Sequence, residues 1–345
     1  MGKVAQKRAR RIAIVGAGAW GTALANLAAR AGADVMLWAR DPAHAAEMAA
    51  TGVNARRLPG VPLVGNVTPT ADLGETASAD ILLLAVPTQA IRANAMALVP
   101  VTPAGVPVIL CAKGIERETG LFPSQIVGEI LSGNPVAVLS GPSFAADVAR
   151  GLPTAVTLAA NDGAHAADLA QALAAPWFRL YHSSDLRGVE IGGAAKNVLA
   201  IASGIAAGRR LGASAGAALI ARGFAELARF GQAFGADPAT LMGLSGLGDL
   251  VLTCSSEQSR NFSFGLALGR GASVAAARPE GRLVEGMHTC GILVDLAHRQ
   301  SVDMPICAAV EAVLAERMEI DAVIEALLNR PAKPELAFDN LTPGK

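Results

Sequence analysis

Two lysines, one aspartate and a Ser-Arg-Asn triplet are the residues of this 345-residue chain best suited to chemistry on an anionic carbonyl compound. Lys196, with Asn197, interrupts the apolar run Gly192-Gly-Ala-Ala-Lys-Asn-Val-Leu-Ala-Ile-Ala202. An unpaired charge is prohibitive to bury, so this ammonium must snorkel to solvent, find a partner or face a polar cleft. In a cleft it could stabilise an oxyanion as hydride arrives at a carbonyl carbon, and supply the proton that completes the alcohol. Asp249, within Gly246-Leu-Gly-Asp-Leu250, could order Lys196 or accept a substrate hydroxyl. Helix or turn capping is its simpler role. Lys113, in Cys111-Ala-Lys-Gly-Ile-Glu116, could contact an anionic or carbonyl substrate or be an ordinary loop lysine. Ser259-Arg260-Asn261 brings a hydroxyl, a guanidinium and an amide to one helix start, a group suited to phosphate. Ser259 could equally be only an N-cap. Gly141-Pro-Ser143 offers backbone and hydroxyl donors or a plain turn, and Glu285 offers a cofactor an acceptor or is an exposed turn residue.

Ahead of these stands Arg11-Ile-Ala-Ile-Val-Gly16-Ala-Gly18-Ala19-Trp20-Gly21, a short β-run meeting G-x-G-x-x-G and then an alanine-rich helix. In a dinucleotide-binding unit Gly16 permits the tight turn, Gly18 lets backbone approach a pyrophosphate, and Gly21 lets helix pack on strand. The diphosphate then faces a helix N-terminus. At the end of the next strand, Ala39 occupies the position where an NAD-specific fold places a carboxylate, and Arg40 follows it. A guanidinium there can pair with a 2′-phosphate, so NADPH is expected to be preferred over NADH. Asp41 would admit NADH if the register shifted by two residues, and Arg40 packing on Trp38 is the structural alternative.

Positioning these groups requires a sheet with its ligands beyond the strands' carboxyl ends. Apolar runs at Asp34 to Trp38, Ile81 to Val86, Val106 to Cys111 and Val136 to Leu139 are of the fully buried kind. Helical stretches at Thr88 to Val99 and Phe122 to Leu131 alternate with the later ones, which predicts an α/β Rossmann-type doubly wound parallel sheet. Runs at Thr154 to Leu158 and Phe178 to Tyr181 extend it. Beyond about Asp185 the pattern turns helical, at Val189 to Gly208, Ala213 to Phe234, Thr289 to His298, Pro305 to Arg317 and Ile320 to Leu328. The expected organisation is a basic disordered leader over 1–10, a dinucleotide-binding domain over 11–188, an all-α substrate domain over 189–330 and a tail over 331–345. The helix from Val189 is apolar enough to be buried against the sheet domain or in a subunit contact, and its glycines suggest close backbone packing.

Charge balances, with 29 Lys+Arg against 29 Asp+Glu, so no global field favours nucleic acid or an acidic membrane surface. The cysteines, at 111, 254, 290 and 307, lack C-x-x-C or His spacing, which argues against zinc and a disulfide framework and suits a reducing cytoplasm. The apolar segment behind the basic leader is broken by glycines and carries Asn26 and Arg30, unlike a secretory signal. No stretch is both long enough and free of charge to span a bilayer.

Taken in order, Gly16-Ala-Gly-Ala-Trp-Gly-Thr-Ala, Cys111-Ala-Lys-Gly-Ile, Leu139-Ser-Gly-Pro-Ser-Phe-Ala, Ala195-Lys-Asn-Val-Leu-Ala-Ile, Gly246-Leu-Gly-Asp-Leu, Ser259-Arg-Asn and Val284-Glu-Gly resemble the bacterial NAD(P)-dependent glycerol-3-phosphate dehydrogenases from Arg11 to about Arg330. The resemblance implies reversible hydride transfer between a nicotinamide and C2 of dihydroxyacetone phosphate or sn-glycerol 3-phosphate, feeding phospholipid synthesis. It implies Lys196 as the proton acceptor in oxidation, with Lys113, Gly141, Ser143, Asp249, Ser259, Arg260 and Asn261 on the substrate. Gly16, Gly18, Ala19, Trp20, Gly21, Arg40, Lys113, Ala145, Arg260, Leu283 and Glu285 would meet the cofactor, and a homodimer is a further expectation. Ala19 stands where the family often has Ser, and the basic leader lies outside the pattern. A related reductase acting on a carboxylate keto acid and a non-catalytic nucleotide sensor are the rival readings. The three cationic residues favour a phosphate over the first, and a proton donor is superfluous in the second.

Overall fold

The computed structural model describes residues 9–278 and 283–332. The leader up to residue 8 and the tail from residue 333 lie outside them. Eight strands, β1 (Arg11–Val15), β2 (Asp34–Trp38), β3 (Val67–Thr70), β4 (Ile81–Leu84), β5 (Val108–Leu110), β6 (Val136–Ser140), β7 (Thr154–Ala160) and β8 (Phe178–Ser183), form one sheet. Helices α1 (Ala19–Arg30), α2 (Pro42–Thr51), α3 (Ile91–Leu98), α4 (Pro123–Ile130), α5 (Ala145–Ala149) and α6 (Gly163–Leu173) connect them. The order is β3-β2-β1-β4-β5-β6-β7-β8, so the chain runs outward from β1 and then returns to its other side with β4. That reversal opens a crevice at the carboxyl ends of β1 and β4, the usual ligand position in such a sheet.

Both faces of the sheet are buried, which is why the strands read as unbroken apolar runs. Ile12, Ile14, Leu83, Ile109 and Leu139 pack on one side with α1 and α6. Ala13, Val15, Leu82, Leu84, Val108 and Leu110 pack on the other with α3 and α4. Two expectations change here. The sheet is not wholly parallel, because β7 pairs antiparallel with β6 (Ala137 opposite Ala160) while β8 pairs parallel with β7. The connection between β6 and β7 holds only the five-residue α5, and the chain turns back alongside β6 instead of crossing a face of the sheet. The edge strand β3 had no signal of its own, since Val67-Thr-Pro-Thr carries a proline that only an edge accommodates readily.

After Ser183 every described element is helical: α7 (Leu186–Gly208), α8 (Ala213–Ala233), α9 (Pro238–Met242), α10 (Asp249–Cys254), α11 (Arg260–Gly269), α12 (Val274–Ala277), α13 (Glu285–Arg299), α14 (Pro305–Leu314) and α15 (Ile320–Leu328). The helix α7 begins at Leu186, before the expected Val189, because Asp185 caps it by accepting the Gly188 N–H at 2.8 Å. It is long and apolar enough to cross a membrane, yet all its residues except Arg187, Ala207 and Gly208 are buried by this chain. No subunit contact is needed to explain its composition. The closest packing is against α11, where a Cβ on Gly204 or Gly265 would overlap a backbone carbonyl of the other helix.

Candidate active site

The turn after β1 has the geometry that its sequence requires. Gly16 has φ +117°, and a Cβ on it would lie 2.7 Å from the Ala85 carbonyl at the end of β4. A Cβ on Gly21 would overlap the Gly16 carbonyl, whereas around Gly18 the space is open. Open space at the middle glycine and closed space at the other two fit a pyrophosphate approaching Gly18 at the N-terminus of α1. Ala19 and Trp20 open α1, and the Trp20 indole N–H is buried without a partner. Beyond β2, Ala39 is buried and Arg40 is exposed; the Trp38 indole donates to the Ala71 carbonyl.

Lys113, Gly141, Lys196 and Asp249 meet beyond the carboxyl ends of β5 and β6. Asp249 is fully buried, receiving Lys196 Nζ on Oδ1 at 2.5 Å and Lys113 Nζ on Oδ2 at 2.8 Å. Lys113 Nζ also donates to the Gly141 carbonyl at 3.0 Å, and the Ser143 hydroxyl donates to the same carbonyl at 3.1 Å. Lys196 does not snorkel: it is 6% exposed, with a second bond to the Thr253 hydroxyl at 2.9 Å. Glycines make this convergence sterically possible. A Cβ on Gly193, one helical turn before Lys196, would sit 3.1 Å from Lys113 Cγ, and one on Gly192 would overlap the Ser245 carbonyl. Asp249 follows a π-helical turn, Leu244–Gly248, in which a side chain on Gly246 would overlap the Leu241 carbonyl.

Burial lowers the pKa of Lys196 to about 8; Asp249 opposes that shift and the Lys113 charge adds to it. Burial would raise the Asp249 carboxyl, but the Lys113 and Lys196 ammoniums outweigh it and hold the group below its usual value. Asp249 is therefore a fixed counter-ion, and Lys196 is poised to exchange a proton near neutral pH.

Ser259 is the N-cap of α11, accepting the Phe262 N–H at 3.2 Å, so the capping role weighed from the sequence is present. Asn261 donates to Asn197 Oδ1 and accepts the Gly286 N–H, each at 2.9 Å, while Asn197 donates to the Lys113 carbonyl at 3.0 Å. This chain of amides ties α11 and α13 to the lysine cluster. Arg260 is exposed at the first turn of α11. Glu285 opens α13 half-buried rather than exposed; burial raises its carboxyl, against the charges of Arg260, Lys113 and Lys196 and the Thr88 N–H. Leu283 lies two residues before Glu285, and Ala145 opens α5 against α1. Arg40 is exposed two residues beyond the end of β2, on the side of β1 opposite β4. Thr253 and Asn197 were not assigned roles from the sequence, although Thr253 follows Asp249 by one helical turn and Asn197 adjoins Lys196.

The cluster places three cationic side chains, Lys113, Lys196 and Arg260, against two carboxylates in a chain without net charge. Such a site can receive an anion and polarise a carbonyl. A family model described as the N-terminus of NAD-dependent glycerol-3-phosphate dehydrogenase matches residues 11–166, and one described as its C-terminus matches residues 185–325. A glycerol-3-phosphate dehydrogenase (NAD(P)+) from Beijerinckia indica is 69% identical over 96% of this chain and 99% of its own length. One from Azorhizobium caulinodans is 62% identical over 94% of this chain and 98% of its own. The crystal structure of glycerol-3-phosphate dehydrogenase from Coxiella burnetii superposes with a TM-score of 0.90 at 40% identity, covering 93% of this chain and 99% of that one. The chain belongs to the NAD-dependent glycerol-3-phosphate dehydrogenase family.

Proposed function

We propose that this chain interconverts dihydroxyacetone phosphate and sn-glycerol 3-phosphate with NADPH or NADH, in the cytoplasm, as a source of glycerol phosphate for phospholipid synthesis. The observation that carries this reading is Asp249 holding both Lys113 and Lys196 beyond the β5 and β6 ends, beside the turn that fits a dinucleotide. The reduced nicotinamide, when bound, supplies the hydride that C2 gains. Lys196 gives a proton to the carbonyl oxygen in that direction and takes one from the hydroxyl in reverse. Lys113 supports the same oxygen or the neighbouring hydroxyl, and Asp249 keeps both ammoniums in place. Arg260, with the N–H groups at the start of α11, receives the phosphate. Arg40 would lie toward the adenosine ribose of a bound dinucleotide, where a guanidinium favours the 2′-phosphate of NADPH. All four cysteines are buried and free, which suits a reducing compartment.

NADPH oxidation with dihydroxyacetone phosphate, compared with unphosphorylated dihydroxyacetone, tests the substrate. The parent should prefer the phosphorylated ketone strongly. Arg260→Ala should lower kcat/KM for it by about tenfold or more, the loss expected of one charge-assisted contact, and change the poor rate with dihydroxyacetone little. Equal losses on both ketones would remove Arg260 from the phosphate, and a parent without turnover on dihydroxyacetone phosphate would refute the substrate.

A further inference from the structure

A fold of this type that binds the unphosphorylated dinucleotide holds the ribose 2′-hydroxyl with a carboxylate roughly 20 residues beyond the glycine turn. Asp41 stands at that spacing from Gly21. Its carboxylate is already engaged on both oxygens: one caps α2 by accepting the Ala43 N–H at 3.0 Å, and the other accepts Arg56 Nη1 at 2.8 Å. Arg56 also gives its Nε–H to Glu47 Oε2 at 2.6 Å. Exposed ion pairs of this kind add little to stability, so stapling the fold is a weak reason for the group.

Its placement points to the ligand crevice instead. The loop carrying Arg56 is anchored by Asn54, which is completely buried. Asn54 Nδ2 donates to the Ala17 carbonyl, inside the glycine turn, at 3.0 Å, and to the Thr22 hydroxyl of α1 at 2.7 Å. Its Oδ1 pairs with His44 of α2 at 2.8 Å and accepts the Arg57 N–H at 3.2 Å. One amide thus ties the pyrophosphate turn, α2 and the Arg56 loop together. On the other side, the Gly16 N–H donates to the Trp38 carbonyl at 3.1 Å, which fixes the end of β2, and with it Arg40 and Asp41, to the same turn.

We propose that Arg56 determines this chain's acceptance of 2′-phosphorylated dinucleotides, by neutralising Asp41 and Glu47 and offering its remaining N–H donors beside Arg40; this rests on the dinucleotide reading of the β1–α1 turn. Two of the five guanidinium donors are committed to the carboxylates, and among the described residues the others meet no protein acceptor, which leaves them for phosphate oxygens. Arg56 is the ion-pair partner of both Asp41 and Glu47. Without it the two carboxylates lose that compensation and repel a 2′-phosphate, whereas a ribose diol is indifferent to the loss.

Calorimetric titration of the enzyme with NADP+ and NAD+, and with 2′,5′-ADP and 5′-AMP, reads this without turnover. Arg56→Ala should weaken NADP+ and 2′,5′-ADP by at least about tenfold and alter NAD+ and 5′-AMP by less than about threefold, since only one charge-assisted contact and its neutralising effect are removed. Arg56→Lys should fall between parent and alanine variant. Adding Asp41→Asn to Arg56→Ala should recover part of the NADP+ affinity, because the uncompensated charge is then gone. An equal loss on all four ligands would mean that Arg56 only supports the loop, and unchanged affinities would mean that it reads nothing; either overturns the proposal while leaving the dinucleotide site intact. A parent that binds neither NADP+ nor NAD+ would overturn the dinucleotide reading, and Arg56's role with it.

Discussion

Alanine at position 196 should lower kcat by about a hundredfold or more while leaving dinucleotide affinity within a few-fold of the parent. Lys196 is buried, and its Nζ is fixed by Asp249 at 2.5 Å and Thr253 at 2.9 Å. A donor held in this way meets the developing oxyanion without reorganisation, and losing such a donor costs on the order of 3 kcal/mol in the barrier. Lys113 remains on the other oxygen of Asp249, so positive charge is not abolished and a residual rate is expected. Lys196→Met, which keeps most of the volume but no charge, separates the proton from the packing. Steady-state rates and cofactor titration measured on both variants decide the matter. Turnover within a few-fold of the parent in either would remove Lys196 from the chemistry.

Asp249→Asn attacks the same site from the opposite sign and should affect stability as well as rate. The substitution keeps the shape but removes the carboxylate that pairs with both ammoniums in a buried position. Breaking a buried ion pair in this way costs about 3–5 kcal/mol. Lys196, already lowered to about 8, loses the group that opposed the shift and is driven further down, so less of it is protonated near pH 7. Reduction then has less of its proton donor, and kcat should fall by about tenfold or more at neutral pH, with part of the rate regained at lower pH. Thermal unfolding and a pH series measure the two effects together. An unchanged Tm with an unchanged pH profile would mean that Asp249 does not govern the lysines.

Strand by strand, what was legible in the sequence depended on how completely a segment is buried. The second strand, Asp34 to Trp38, was readable to the residue because its alternate side chains enter the two faces of the sheet. Val67–Thr70 was not, since an edge strand needs few apolar residues. The reversal of β7 and β8 was also hidden, because apolar runs say nothing of direction. The helix α2 was overlooked although Asp41 and Pro42 form a capped start, and the same aspartate was weighed only as a ribose ligand. At the site, places after strands marked Lys113 and Gly141, a charge in an apolar run marked Lys196, and a carboxylate in a glycine-rich turn marked Asp249. Their meeting is a contact between residues 136 apart for Lys113 and Asp249, which no local pattern encodes. Lys196 was ambiguous for the same reason: the sequence shows a charge in an apolar helix, and only the partner on a distant helix decides between snorkelling and a cleft. Asn54 left no trace, because a buried amide in a loop acquires its importance from the turns it joins.

Lys196 as the group that gives and takes the proton is tested most directly by the pH dependence of kcat/KM in both directions, from about pH 7 to 10, where the substrate phosphate is already dianionic. The protonated amine is the donor in reduction, so with a pKa of about 8 that direction should be level below it and fall by about tenfold per pH unit above. Oxidation requires the neutral amine and should rise over the same range, then level off above about 8. Opposite slopes that share one inflection near 8, displaced downward in Asp249→Asn, are the predicted result. Two profiles that are flat through pH 8, or that slope the same way, would contradict the assignment of the proton to Lys196.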